Sequence, residues 1–182
     1  MRGQFFLVGA LLLILLFYIG ISAYIYPSYA GPQDEGIVRL FGNIKDEYPR
    51  AFNFGMNISS PANTLVNFTN FVMNVTGRRG FETRILWVIT ENVNGNLNVT
   101  AGNFLGYPVA VNLSIAGEGK SINVGEGETN SSLFLSPPSE FELRLSFNTT
   151  EKNVLLEKYK ANLYLILDMR KGDDRLAGEV KA

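Results

Sequence analysis

The chain has 182 residues, 46% hydrophobic and 18% charged, with 16 Lys+Arg against 17 Asp+Glu, and it contains neither Cys nor His. That length supports one ordinary domain with an appendage, and the missing residue types exclude a thiolate metal site, a disulfide framework, a Cys nucleophile, a Ser-His-Asp triad and a histidine base. A net charge of −1 without a dense basic run leaves no footprint for nucleic acid, so the expectation is a binding or structural protein, with no enzyme activity, cofactor or nucleic-acid partner.

In chain order, the first element is an apolar run from Phe5 to Tyr26 that holds no charged residue. At ~1.5 Å per residue it reaches ~33 Å, the thickness of a bilayer's hydrocarbon core, which makes the lipid bilayer the first expected partner. Tyr18, Tyr24, Tyr26 and Tyr29 suit a headgroup belt at its far end, and Pro27 marks a helix break. Arg2 and the α-amino group precede the run while Asp34 and Glu35 follow it, so the positive-inside bias places the N-terminus in the cytoplasm. A cleaved secretory signal is the competing reading, with Ile21-Ser22-Ala23 as a loose cleavage site. The run exceeds the ~7 to 15 residues of such a signal, and bulky Tyr and Ile crowd the cut, so a retained single-pass anchor is preferred. Gly9, Ala10, Gly20 and Ala23 supply small residues for packing against other membrane or filament subunits.

Met1-Arg2-Gly3-Gln4, followed at once by the long apolar helix, resembles the class III signal peptides of archaeal type IV pilin-like proteins. The resemblance covers about the first 25 residues. It implies cleavage between Gly3 and Gln4 and a helix that packs in a filament core. The glutamate that major pilins carry five residues into the mature chain falls here at Val8, so a minor pilin or a plain anchored protein is implied as readily.

Ala30 to Gly36 reads as a linker. Ile37, Leu40, Phe41, Ile44 and Tyr48 then recur at helical spacing, predicting a helix from about Glu35 to Tyr48 that stops before Pro49. It packs on its own domain; the alternative is a stalk or partner helix near the membrane. Ser60-Pro61 supplies an N-cap and first-turn proline for a second helix to about Gly77, with Leu65, Phe68, Phe71, Val72 and Val75 on its apolar face. Asn63, Asn67, Asn70 and Asn74 form a polar stripe opposite, read as a solvated face rather than an amide ladder for a glycan.

From Phe81 the period becomes two. Thr83 to Thr90 reads as a central strand, Asn94-Gly95 as a two-residue hairpin turn, and Asn96 to Ala101 as its return. Alternation continues in Val109 to Ile115, in Ile122 and Val124, in Phe141 to Phe147, and around Ala161 to Met169, where both faces look covered. Seven or so strands, with a break at Thr149 to Asn153, predict an antiparallel β-sandwich. The tail from Arg170 is charged and expected to fray. The expected organisation is an anchor (1–27), a linker and helical membrane-proximal region (28–80), a sandwich ectodomain (81–170) and a charged tail (171–182), mainly β with N-terminal helices.

Seven Asn-X-Ser/Thr acceptors follow the anchor, at Asn57, Asn67, Asn74, Asn98, Asn112, Asn130 and Asn148. Their modification requires exposure outside the cytoplasm, which agrees with the charge bias. Other candidate chemistry is weaker. Glu118, Glu126 and Glu128 sit among glycines as possible Ca²⁺ ligands but lack EF-hand spacing, so an ordinary hairpin explains them, and Asp173-Asp174 lies in the charged tail. Glu140 and Glu142 could pair for glycoside hydrolysis, yet they share a face expected to be solvated. Arg78-Arg79 could meet acidic lipid or simply complement a helix dipole. Trp87 and the cluster Phe52, Phe54, Phe68 and Phe71 read as core rather than a sugar platform. The expectation is an envelope or pilin-like structural protein, the alternative being an accessory subunit of a larger membrane complex in transport or glycan transfer.

Overall fold

The change of period at Phe81 divides two helices from a set of strands. The computed structural model describes residues 35–147 and 150–182. The described residues form α1 (Glu35–Asn57), α2 (Pro61–Arg78), β1 (Glu82–Val93), β2 (Asn96–Phe104), β3 (Val109–Ile115), β4 (Glu118–Val124), β5 (Glu128–Phe134), β6 (Glu140–Phe147), β7 (Thr150–Glu157), β8 (Asn162–Lys171) and β9 (Asp174–Lys181). The strands build a five-stranded sheet in the order β5-β2-β1-β8-β9 and a four-stranded sheet in the order β4-β3-β6-β7. Every pairing is antiparallel.

Successive side chains on a strand point to opposite faces, and β1 uses both. Leu86 and Val88 enter the core between the sheets, with Val99, Val111, Leu145 and Val154. Ile85, Trp87 and Ile89 face the other way, into a second core formed with Ile44, Tyr48, Phe52 and Leu65 of the helices. β8 divides likewise: Leu163, Leu165, Leu167 and Met169 meet the helices, while Tyr164 faces the other sheet. The fold is therefore a two-sheet sandwich with a helical layer over the outer face of the five-stranded sheet. That accounts for the unbroken apolar run of β1, which a strand solvated on one side would not carry.

The first helix passes the expected stop at Pro49 and continues to Asn57. A proline inside a helix costs ~3 kcal/mol, since it has no N–H for the preceding turn. Tertiary packing offsets that: Phe52 and Gly55 beyond it are buried, and burying one large apolar side chain contributes ~1.5 to 3 kcal/mol. Gly55 lets the helices close, because a Cβ there would lie 2.7 Å from Pro61 Cα. The Ser60 N–H then donates to the Gly55 carbonyl at 2.9 Å. Pro61 does open α2, but Ser60 makes no side-chain capping bond. Instead, Thr64 donates its hydroxyl to the Ser60 carbonyl at 2.8 Å.

Asn94 and Gly95 have φ of 53° and 82°, the two positive values of a type I′ turn, so the expected hairpin forms. Three strands depart from expectation. β5 is polar except near its end, where Phe134 is buried. β7 begins at Thr150, inside the expected break, and places Val154 and Leu156 in the inter-sheet core. The tail expected to fray is instead β9, paired along β8 from Tyr164↔Lys181 to Lys171↔Asp174. Leu176 and Val180 pack on the helical core, and a Cβ on Gly178 would lie 3.0 Å from the Phe41 ring. Those contacts hold the strand despite its charges.

Candidate functional site

The sequon asparagines decorate every layer, and their surroundings differ. Asn57 closes α1 and is exposed, as are Ile58 and Ser59 in the turn that follows. Asn67 and Asn74 lie on the exposed polar stripe of α2 with Asn63 and Asn70, as the helical spacing predicts. Their partner threonines point inward. Thr69 is fully buried, donates its hydroxyl to the Leu65 carbonyl at 2.6 Å and lies 2.9 Å from the Tyr48 hydroxyl. Thr76 is equally buried and donates to the Val72 carbonyl at 2.8 Å.

Asn98 is half-buried in β2, and its side-chain amide donates to the Thr100 hydroxyl at 3.3 Å. Asn112 is exposed on β3, an interior strand of the four-stranded sheet. Asn130 is exposed on the edge strand β5, where its amide donates to the Asn123 carbonyl at 2.9 Å. Asn148, Gly3 and Gln4 lie outside the described residues, as do the apolar run 5–26 and its small residues.

The weaker candidates separate from one another. Glu118 pairs with Lys120 at 3.0 Å at the start of β4, whereas Glu126 and Glu128 lie beyond its end. The strand's length, ~20 Å, stands between them. Among the described residues, no group of three acidic side chains could hold a metal ion. Glu140 and Glu142 border an open cavity of about 350 Å³ with Arg144, which lies 3.6 Å from Glu142. Both carboxylates are exposed, as their strand face predicts.

Arg78 and Arg79 are exposed at the C-terminal end of α2. Trp87 and Phe52 are core, as expected, but Phe54 and Phe71 are not: they are 60% and 62% exposed. Phe71 stacks on Phe68, and the two border an apolar groove of about 150 Å³ between α1 and α2, with Leu40 and Val75. A helical wheel does not show this, because it cannot say how far the neighbouring helix covers the flank of the apolar face.

A second groove, of about 110 Å³, was not expected. Glu82 and Arg84 of β1, Asp168 and Arg170 of β8, and Arg175 of β9 line it. Arg175 grips Asp168 with two bonds of 2.9 and 2.8 Å, which raise its guanidinium pKa. Arg84 donates to Glu82 at 3.0 Å and Arg170 to the Gly172 carbonyl at 3.0 Å. Two of the three guanidinium groups are thus paired with the two carboxylates and the third with a backbone carbonyl, which organises a strand end. No protein-family model and no curated protein sequence matches this chain.

Proposed function

We propose that the protein is a single-pass, membrane-anchored, extracytoplasmic structural or interaction protein, N-glycosylated, and a pilin-like or cell-envelope component. The observation that carries this reading is the charge-free run from Phe5 to Tyr26 directly ahead of the domain. A bilayer-length apolar run in a chain with a complete core of its own is best used as an anchor. No helix among the described residues is long and apolar enough to cross a membrane, and the run from Phe5 to Tyr26 lies outside those residues. The distribution of exposed sequon asparagines over helices and strands supports an outward-facing domain. The resemblance of Met1-Arg2-Gly3-Gln4 to class III signals favours the pilin-like form of the reading.

The alternative, an accessory subunit of a larger membrane complex, draws on the apolar groove of the helical layer with its exposed Phe71. N-terminal sequencing and intact mass of the chain from native membranes separate the two. A start at Gln4 in polymeric material supports the pilin-like form. A retained Met1 with a stoichiometric membrane partner favours the accessory subunit, and a start near Tyr24 overturns the anchor.

A further inference from the structure

We infer that, among the sequons of the described residues, Asn57 is the acceptor the folded domain presents to an N-glycosylating enzyme, and that Asn67 and Asn74 become acceptors only when α2 unfolds. This rests on the extracytoplasmic reading for its occurrence in the cell, but not for the site order itself. The group transferred comes from a polyprenyl-phosphate-linked oligosaccharide. Asn57 Nδ2 attacks C1 of the first sugar, and the N–C1 bond forms as the C1–O bond to the lipid phosphate breaks. That oxygen leaves with the bonding pair, and the amide nitrogen gives up one proton to the medium.

An enzyme that does this must grip the whole Asn-X-Ser/Thr triplet, including the hydroxyl that gives the triplet its specificity. Asn57-Ile58-Ser59 meets that demand. All three residues are exposed, Ile58 to 54%, and the triplet leaves α1 for a turn in which Ser59 has φ of 56°. Neither the Asn57 amide nor the Ser59 hydroxyl is engaged in a side-chain hydrogen bond among the described residues.

The triplets of α2 fail on the same criteria. Both are held in helical geometry, and the hydroxyls of Thr69 and Thr76 are buried and bonded to carbonyls of the preceding turn. Exposing either hydroxyl requires α2 to leave the sheet, since Thr69 and Thr76 lie beside the buried Leu65 and Val72 on its packed face. The strand triplets are also restrained. Thr100 is buried, Asn112 lies on an interior strand, and the Asn130 amide is already committed to Asn123.

The sequence itself provides an internal control. The tryptic peptide from Ala51 to Arg78 contains Asn57, Asn67 and Asn74 together. The full chain, folded in detergent, and this peptide are each offered to a single-subunit oligosaccharyltransferase that accepts Asn-X-Ser/Thr, with chitobiose linked to polyprenyl pyrophosphate as donor. Site occupancy is then read by mass spectrometry.

The peptide should take sugar at all three asparagines. The folded chain should take it at Asn57, with Asn67 and Asn74 slowed by about tenfold or more, the protection expected when reaction waits on local unfolding. Ser59→Ala should abolish modification of Asn57 in chain and peptide alike. Equal rates at Asn67 or Asn74 in chain and peptide would overturn the inference, as would a folded chain unmodified at Asn57. Glycan mass on the protein from native membranes is read separately: its absence would remove N-glycosylation from the proposed function, leave the orientation resting on the charge bias around the apolar run, and leave the site order of the folded chain standing.

Discussion

Trp87 and Gly102 face each other across β1 and β2, and the indole occupies the volume that a Cβ on Gly102 would need. Gly102 is thus required by packing rather than by an unusual backbone angle. Gly102→Ala should destabilise the domain by about 3 kcal/mol, the upper end of ordinary overpacking, measured by urea unfolding. Trp87→Phe in the same chain should recover part of the loss, because the contacting pair is non-additive and the indole N–H has no partner to lose among the described residues. A second residue-scale prediction concerns Tyr48. Burial raises its phenol pKa well above the usual value, and the bond to Thr69 offsets only part of this. The folded state therefore holds a proton that the unfolded chain releases above about pH 10, so the stability contributed is complete below that pH and is lost as pH rises. Tyr48→Phe should cost about 1 kcal/mol at pH 7 for the lost hydrogen bond. It should also flatten the fall in Tm above pH 10. An unchanged alkaline slope would mean that other groups, Tyr164 among them, carry it.

At the scale of elements, β9 separates what the sequence shows from what it conceals. Truncation after Gly172 removes the half-buried Leu176 and Val180 and uncovers the edge of β8. It should cost about 3 kcal/mol by area and promote edge-to-edge association, seen as a lower urea midpoint and a larger species in light scattering. A frayed tail would make the same truncation neutral. Helix α2 and strands β1, β3, β6 and β8 are legible because at least four apolar residues keep one period in each. In β5, β7 and β9 only one or two residues face inward, and the rest are polar because the strands lie at sheet edges. The signal for β9 was present in Leu176, Gly178 and Val180, but Asp174, Arg175, Glu179 and Lys181 outweigh it in composition. Pro49 misleads for the opposite reason: its local rule is sound, and burial of Phe52 overrides it. The charged groove was illegible because residues near 82 and near 175 meet only through the β1-β8-β9 pairing. The sequon asparagines were legible as motifs. Which of them keeps its hydroxyl free depended on the face of α2 that meets the sheet.

At the scale of the whole molecule, the two cores share the five-stranded sheet, so neither helices nor four-stranded sheet can leave without baring apolar residues of β1 and β8. Trp87 reports the helix–sheet core alone, whereas far-ultraviolet circular dichroism reports all layers. Their urea transitions should coincide, and a separate early Trp87 transition would show that the helical layer detaches on its own. The layers also meet electrostatically at the side where β7 and β9 are the sheet edges. There Lys152 of β7 lies 2.6 Å from Glu179 of β9, with Tyr164 of β8 and Lys45 of α1 nearby. The Lys152 bond chiefly, against an opposing effect of burial, holds the Glu179 carboxyl below its ordinary pKa. A depressed carboxyl pKa means that the unfolded chain takes up this proton first as pH falls. The stabilisation is therefore complete above about pH 5 and disappears as pH drops through the folded pKa. Both side chains are near 40% exposed, which limits the effect to at most about 1 kcal/mol. Glu179→Gln should lower stability by that amount at pH 7 and converge with the parent chain once the pH has dropped below the folded pKa, with added salt shrinking the difference at neutral pH. A deficit that persisted at low pH would assign the role of Glu179 to packing on β9, and the tie between the sheets would then rest on the shared apolar core alone.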